Sequence, residues 1–183
     1  MTWLRSASGA WCLKDIGELF DTFEREAFRL ETLADYSKSG NADAYQAFLS
    51  GQPQPTDYNE SWLSEVRAHT GDGRRICRVH ILSRPLTPYL RFELGWGYRR
   101  NATGGEEFFI LDTTDKPNPL EGVEDFWLFD EGTAVVMRYD DTGAVTGRDT
   151  VPESRAQEFV AIRDTALAHA EPFSEWWKKH AGT

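Results

Sequence analysis

Arg91 and Glu93 stand two residues apart in a segment crowded with rings: Tyr89, Phe92, Trp96 and Tyr98. A guanidinium in such a setting can clamp a carboxylate or phosphate through paired N–H groups, while a neighbouring carboxylate fixes it and aromatic walls exclude water. Upstream, Arg78 and His80 alternate along an apolar run and share one face of the strand it predicts. A histidine with a carboxylate partner titrates near neutral pH and can work as a general acid or base. Arg78, Tyr89, Arg91, Glu93 and Trp96 are therefore the candidate ligand pocket, with Arg91 as the anion clamp and Glu93 fixing it or accepting a hydrogen bond. The competing reading is a structural ion-pair network linking Arg91 and Glu93 to Arg78 or to the aspartates near Phe129. No second histidine or nucleophilic serine stands in a recognisable catalytic motif beside His80, so no catalytic residue is assigned.

Other chemistry finds less support. Ser83 follows the strand directly, where α/β folds often place ligand-binding groups, but a turn cap explains it as well. Asp125, Asp130, Glu131, Asp140 and Asp141 lack the spacing of a calcium-binding loop and read as solvated strand ends. Asn101–Gly105 has neither the glycine spacing nor the lysine of a phosphate cradle. Cys12 and Cys77 lie far apart without a CxxC partner, which argues against a disulfide framework or a zinc site; Cys77 reads as a small core residue. No metal and no cofactor is expected. Trp176-Trp177-Lys178-Lys179 is either a docking helix or a helix packed on the sheet.

The chain has 183 residues and a formal net charge of −10. That field repels phosphate backbones and disfavours direct nucleic-acid binding, although Arg74, Arg75, Arg78, Arg84, Arg91, Arg99 and Arg100 cluster in one segment. A 40% hydrophobic and 13% aromatic content suffices for a core. No apolar run approaches the roughly 20 residues of a membrane span, and the first residues lack a signal-peptide pattern. A cytoplasmic protein without membrane contact is the default expectation.

The elements that must position these residues follow from periodicity. Leu13, Ile16, Leu19, Phe20, Phe23, Ala27, Phe28 and Leu30 recur at spacings of three and four and predict an amphipathic helix over Leu13–Leu30. Short helices follow over Ala42–Ser50 and, capped by Asn59, to about Thr70. Arg75–Leu82 is a strand with Cys77, Val79 and Ile81 on one face. Pro88–Trp96 reads as a helix, because Thr87 can cap it and Pro88 suits the first position, or as a strand, because Leu90, Phe92, Leu94 and Trp96 alternate. The helix is favoured. On it, residues two apart diverge by roughly 200°, so Arg91 and Glu93 would serve different places; on a strand they would share a face. Phe108–Leu111, Phe126–Phe129, Ala134–Tyr139 and Ala144–Val151 are strands, the last three an antiparallel meander. Pro152 and Pro172 start the closing helices. The result is a single α+β or α/β domain over residues 1–183. It comprises a mainly helical part (1–73), a sheet region (74–151) and C-terminal helices (152–183) around a mixed sheet.

Three segments together, Phe28-Arg29-Leu30-Glu31, Ser83–Glu93 and Asp125–Asp130, resemble an actinobacterial domain-of-unknown-function family, number 6879. Its Ser-x-Pro-Leu-Ser/Thr-x-Tyr-x-Arg-Phe/Tyr-Glu motif is met at Ser83, Pro85, Leu86, Thr87, Tyr89, Arg91, Phe92 and Glu93. Its Phe-Trp-Leu-Phe-Asp motif is met at Phe126–Asp130. Members are often encoded beside helix-turn-helix regulators. The resemblance thus implies a cytoplasmic regulatory or sensing accessory protein, with such a regulator as partner, and no established reaction. The fold is also similar, by analogy, to a phospholipase-D-like sheet, whose His-x-Lys catalytic pattern is missing here because His80 precedes Ile81 and Leu82. The functional expectation is a non-catalytic sensor of a small anionic ligand or a protein partner. The alternatives are an enzyme on a small anionic or nucleotide-like substrate, with Glu93 or His80 as base, and an adaptor docking through Trp176–Trp177.

Overall fold

The computed structural model describes residues 16–181. In chain order the elements are α1 (Ile16–Thr22), β1 (Glu26–Glu31), α2 (Ala42–Leu49), α3 (Glu60–Gly71), β2 (Arg75–Leu82) and α4 (Pro88–Phe92). A π-helical stretch (Glu93–Tyr98) leads on to α5 (Arg99–Asn101) and β3 (Glu107–Asp112). Then come β4 (Phe126–Phe129), β5 (Thr133–Tyr139), β6 (Val145–Thr150), α6 (Ala156–His169), β7 (Glu171–Pro172) and α7 (Phe173–His180). The strands form one seven-stranded mixed sheet in the order β6-β5-β4-β1-β2-β3-β7. β1, β2 and β3 run parallel, and antiparallel strands flank them on both sides. The C-terminal meander of β4, β5 and β6 stands as predicted.

One element overturns the reading of its segment. The predicted helix over Leu13–Leu30 ends at Thr22, and Glu26–Glu31 is β1, the strand between β2 and β4. The mainly helical first part therefore supplies a central strand; Leu13 lies outside the described residues. The cause is that Ala27, Phe28, Arg29 and Leu30 satisfy a period of two as well as the helical spacing. Phe28 and Leu30 enter the core on one face, while Ala27, Arg29 and Glu31 occupy the other. Strands interior to a sheet covered on both sides are buried on both faces, which blurs the alternation that exposes a strand in sequence.

The first face packs Phe28, Leu30, Cys77, Val79, Leu111, Phe126 and Leu128 beneath Phe159 and Ala166 of α6. Cys77 is a buried core residue, and burial pushes its thiol up to about 12. The second face is apolar at both ends, around Trp127 and Phe129 on one side and Ile110, Phe173 and Trp176 on the other. Between them it carries charge. Parallel pairing sets Arg29 beside Arg78 and Glu31 beside His80.

Pro88–Phe92 is helical, capped as the sequence indicates: the Leu90 amide donates to Thr87 Oγ1 at 3.1 Å, with Pro88 at the first turn. Asn59 does not cap α3 through its side chain. It sits in the left-handed region (φ 59°), and its Nδ2 donates to Asn101 Oδ1 at 3.3 Å, tying α3 to the end of the long helical run.

At the end of β3, Asp112 joins three elements. Its Oδ2 accepts from Arg84 Nε (2.8 Å) and Trp176 Nε1 (2.9 Å), and its Oδ1 accepts from the Thr114 amide and hydroxyl. Burial opposes ionisation, but the bonds from Thr114, Trp176 and Arg84 outweigh it and bring the carboxyl down to about 2. A folded value below the unfolded value of about 3.9 means stabilisation that is complete above about pH 4 and is lost as pH falls towards 2. Asp112→Asn should lower the urea midpoint at pH 6, and the gap to wild type should narrow between pH 4 and 2. A gap that stays constant through that window would show that Asp112 ionisation does not support the fold.

Candidate functional site

Near the C-terminal ends of β1 and β2 a chain of alternating charges lies buried under the helical layer. Glu106 accepts from Arg78 Nε at 2.5 Å, and Arg78 Nη1 reaches Glu31 Oε1 at 2.9 Å. Arg29 Nε stands 3.7 Å from the same Glu31 oxygen, and Arg29 Nη2 meets Asp125 Oδ2 at 3.1 Å. The ends are secured by neutral donors: Trp62 Nε1 to Glu106, and the Tyr36 hydroxyl and Thr32 to Asp125. Both guanidiniums also lie over rings, Arg78 at 5.1 Å from Trp127 and 5.6 Å from Trp62, Arg29 at 5.4 Å from Trp127. Burial opposes ionisation of Glu31, but Arg78 and Arg29 prevail and hold its carboxyl at about 2.

The helix after β2 adds two more groups. His80 is fully buried; its Nε2 lies 3.0 Å from the Leu33 carbonyl and its Nδ1 3.1 Å from Tyr98 Oη. The Tyr98 hydroxyl donates to Glu31 Oε2 at 2.5 Å. Glu93 Oε2 lies 3.4 Å from His80 Nδ1, is buried, and has no hydrogen-bond partner among the described residues. Burial, then the charge of Glu31, hold the Glu93 carboxyl well above the ordinary carboxylate range. Five residues on, an α-helix has turned roughly 140° past a full turn, which would carry Tyr98 away from Glu93. The wider π turn brings positions i and i+5 onto one side, and both groups reach His80. Ligand atoms of Glu31, His80 and Glu93 all lie within 4.8 Å of one another, a donor set able to share protons or hold a cation.

Residues 14–178 match the family described as "Domain of unknown function (DUF6879)". The chain belongs to that family. Among solved structures, the fold is similar to that of Nuc, a phospholipase D family member from Salmonella typhimurium. The TM-score is 0.47 at 8% identity, over 85% of this chain and 86% of that one. No curated protein matches the chain. No helix among the described residues is long and apolar enough to cross a membrane.

The candidate pocket residues Arg78, Tyr89, Arg91, Glu93 and Trp96 do not build one pocket. They go to three places, as a helix requires of Arg91 and Glu93, two positions apart. Arg78 and Glu93 enter the buried network. Tyr89 packs among Tyr36, Tyr45 and Phe92 with ring centroids 5.4–6.1 Å away. Arg91 and Trp96 face outward, where with Phe48, Leu86, Arg99 and Trp177 they line an open groove of about 380 Å³. The ion-pair network anticipated for Arg91 is thus built by Arg78 and Arg29.

The acidic group read as solvated strand ends also divides. Asp125 is 2% exposed and belongs to the network, whereas Asp130 accepts from the amides of Glu24, Arg25 and Glu26 at the entrance to β1. Sequence reasoning missed Arg29, Glu31 and Glu106 as network members. The alternation within Phe28-Arg29-Leu30-Glu31 was the available signal for the first two.

Proposed function

We propose that the protein is a non-catalytic sensing or accessory protein that receives an anionic ligand in the groove of Arg91, Arg99 and Trp96. The observation that carries this reading is the state of the two arginines. Arg91 and Arg99 are exposed and make no ion pair among the described residues, in a chain of net charge −10 where Arg29, Arg75, Arg78, Arg84, Arg100, Arg138 and Arg163 are all engaged by carboxylates. Two uncompensated guanidiniums about two helical turns apart suit a doubly charged or extended anion, and Trp96 and Trp177 offer faces for a planar part. In this reading the protein works in the cytoplasm beside a helix-turn-helix regulator, the partner that the family resemblance implies. Ligand occupancy would alter the surface formed by α4, the π-helical stretch and α7.

The test is thermal melting of wild type and Arg91→Ala against nucleotides, inorganic phosphates and carboxylates. Both proteins should melt alike in buffer, because a substitution at an exposed, unpaired site changes stability by about 0.5 kcal/mol or less. The expected result is an upward shift in wild type that Arg91→Ala and Arg99→Ala each lose. Absence of any shift across the panel, or a shift preserved in both variants, refutes an Arg91-centred site.

A further inference from the structure

The buried cluster at Glu31, His80 and Glu93 poses a separate question, one of proton and charge balance. The Leu33 carbonyl at 3.0 Å from His80 Nε2 can only accept, so that nitrogen carries a hydrogen. Nδ1 then presents a lone pair unless the ring is an imidazolium. It faces Glu93 Oε2 at 3.4 Å, Glu31 Oε2 at 3.7 Å, and a Tyr98 oxygen whose proton is already given to Glu31. With Glu93 ionised, lone pairs converge from three sides on a buried space. The wider charge count agrees. The chain Glu106–Arg78–Glu31–Arg29–Asp125 holds three carboxylates and two guanidiniums, leaving one negative charge, and an ionised Glu93 adds a second.

We infer that Glu31, His80 and Glu93 form a binding site for one divalent transition-metal ion of the zinc or manganese kind. Two ligand atoms about 2.1 Å from a tetrahedral ion lie roughly 3.4 Å apart, close to the 3.4 and 3.7 Å separating His80 Nδ1 from the two carboxylate oxygens. One imidazole with two carboxylates suits a borderline ion better than calcium or magnesium, which take oxygen alone. The supporting groups are in place. A histidine that binds metal through one nitrogen characteristically donates its other N–H to a carbonyl or carboxylate, as His80 does to Leu33. Arg78 and Tyr98 fix the two oxygens of Glu31. Glu93, whose side chain is 15% exposed against 0% and 5% for His80 and Glu31, marks the side from which an ion would enter. A dication would cancel the two surplus charges and give the unpartnered Glu93 oxygen its missing contact.

The experiment uses tag-free full-length protein stripped with a chelator, then titrated with zinc chloride or manganese chloride alone. Calorimetry and thermal melting are followed for wild type and Glu93→Gln. The expected result is one ion bound per chain with a dose-dependent rise of the wild-type melting temperature, and affinity about tenfold weaker or worse in Glu93→Gln. In chelator the variant should melt close to wild type, because burial and Glu31 already hold the metal-free Glu93 carboxyl towards its neutral form and the amide is nearly the same size. Should Glu93→Gln fail to fold, cobalt(II) added to wild type must give a visible absorption band saturating at one equivalent, and silence there counts against the site. Wild-type melting that ignores both metals, or undiminished affinity in a folded Glu93→Gln, overturns the inference and leaves a proton shared between His80 and Glu93 as the occupant.

Discussion

Arg78→Ala should lower the free energy of unfolding by about 3–5 kcal/mol, the cost of removing one partner from a buried ion pair. The guanidinium holds two carboxylates, Glu106 at 2.5 Å and Glu31 at 2.9 Å, and the Glu106 side chain is 0% exposed. Without Arg78, Glu106 keeps the Trp62 N–H among the described residues, and Glu31 keeps Arg29 at 3.7 Å and the Tyr98 hydroxyl. A carboxylate stranded in that setting must lose its charge or admit water, and both weaken the packing of α3 on the sheet. Urea denaturation at neutral pH measures the loss. The double variant Arg78→Met, Glu106→Gln separates the ion pair from mere volume: it should recover a substantial part of the deficit, since the stranded charge is gone and the methylene stem remains. A cost below about 1 kcal/mol would mean that Arg78 is free to bind a ligand and that the network is not what holds β1 and β2 under the helical layer.

How much of this arrangement could be read beforehand depends on how local its causes are. β2 and the helix after it were legible because their signals lie within a few residues: alternation in Arg75–Leu82, and Thr87-Pro88 as cap and first turn. β1 was not, because Phe20, Phe23, Ala27, Phe28 and Leu30 fit a helical stripe, and the fact that decides against it is pairing with remote strands. Glu26 pairs with Arg75 and Ala27 with Phe129, registers that no window of ten or fifteen residues contains. The site divides in the same way. That Arg91 and Glu93 point to different places follows from helix geometry once Pro88 is granted the first turn. That Glu93 meets His80 and Glu31 depends on the parallel crossover, on β1, and on the π turn, and it is β1 that local reasoning placed in a helix. Arg29, Glu31 and Asp125 look like solvated charge in sequence because their compensating partners sit roughly fifty to a hundred residues away.

Trp176→Ala should be the most damaging single change in α7, with a cost of about 3–5 kcal/mol, as for other buried aromatic truncations. In a chain of this length that corresponds to a fall in melting temperature of roughly 6–20 °C. Trp176 is fully buried among Leu90, Leu94, Ile110 and Phe173, so its removal opens a cavity where the closing helix meets the sheet. The loss also has a polar part, because Asp112 forfeits the indole N–H and keeps Arg84 and Thr114. The next residue behaves differently. Trp177 is partly exposed and lines the groove beside Arg91 and Arg99, so Trp177→Ala should leave the melting temperature within a few degrees of wild type. The pair therefore separates two roles that adjacent tryptophans in a sequence do not reveal. It also decides how a docking role for this segment can be tested: a truncation after Pro172 removes Phe173 and Trp176 from the core and abolishes association by unfolding the protein, whatever α7 contacts. Trp177→Ala poses the question on a folded chain. Equal destabilisation by the two substitutions would show that α7 is not seated through Trp176, and the assignment of the groove would fall with it.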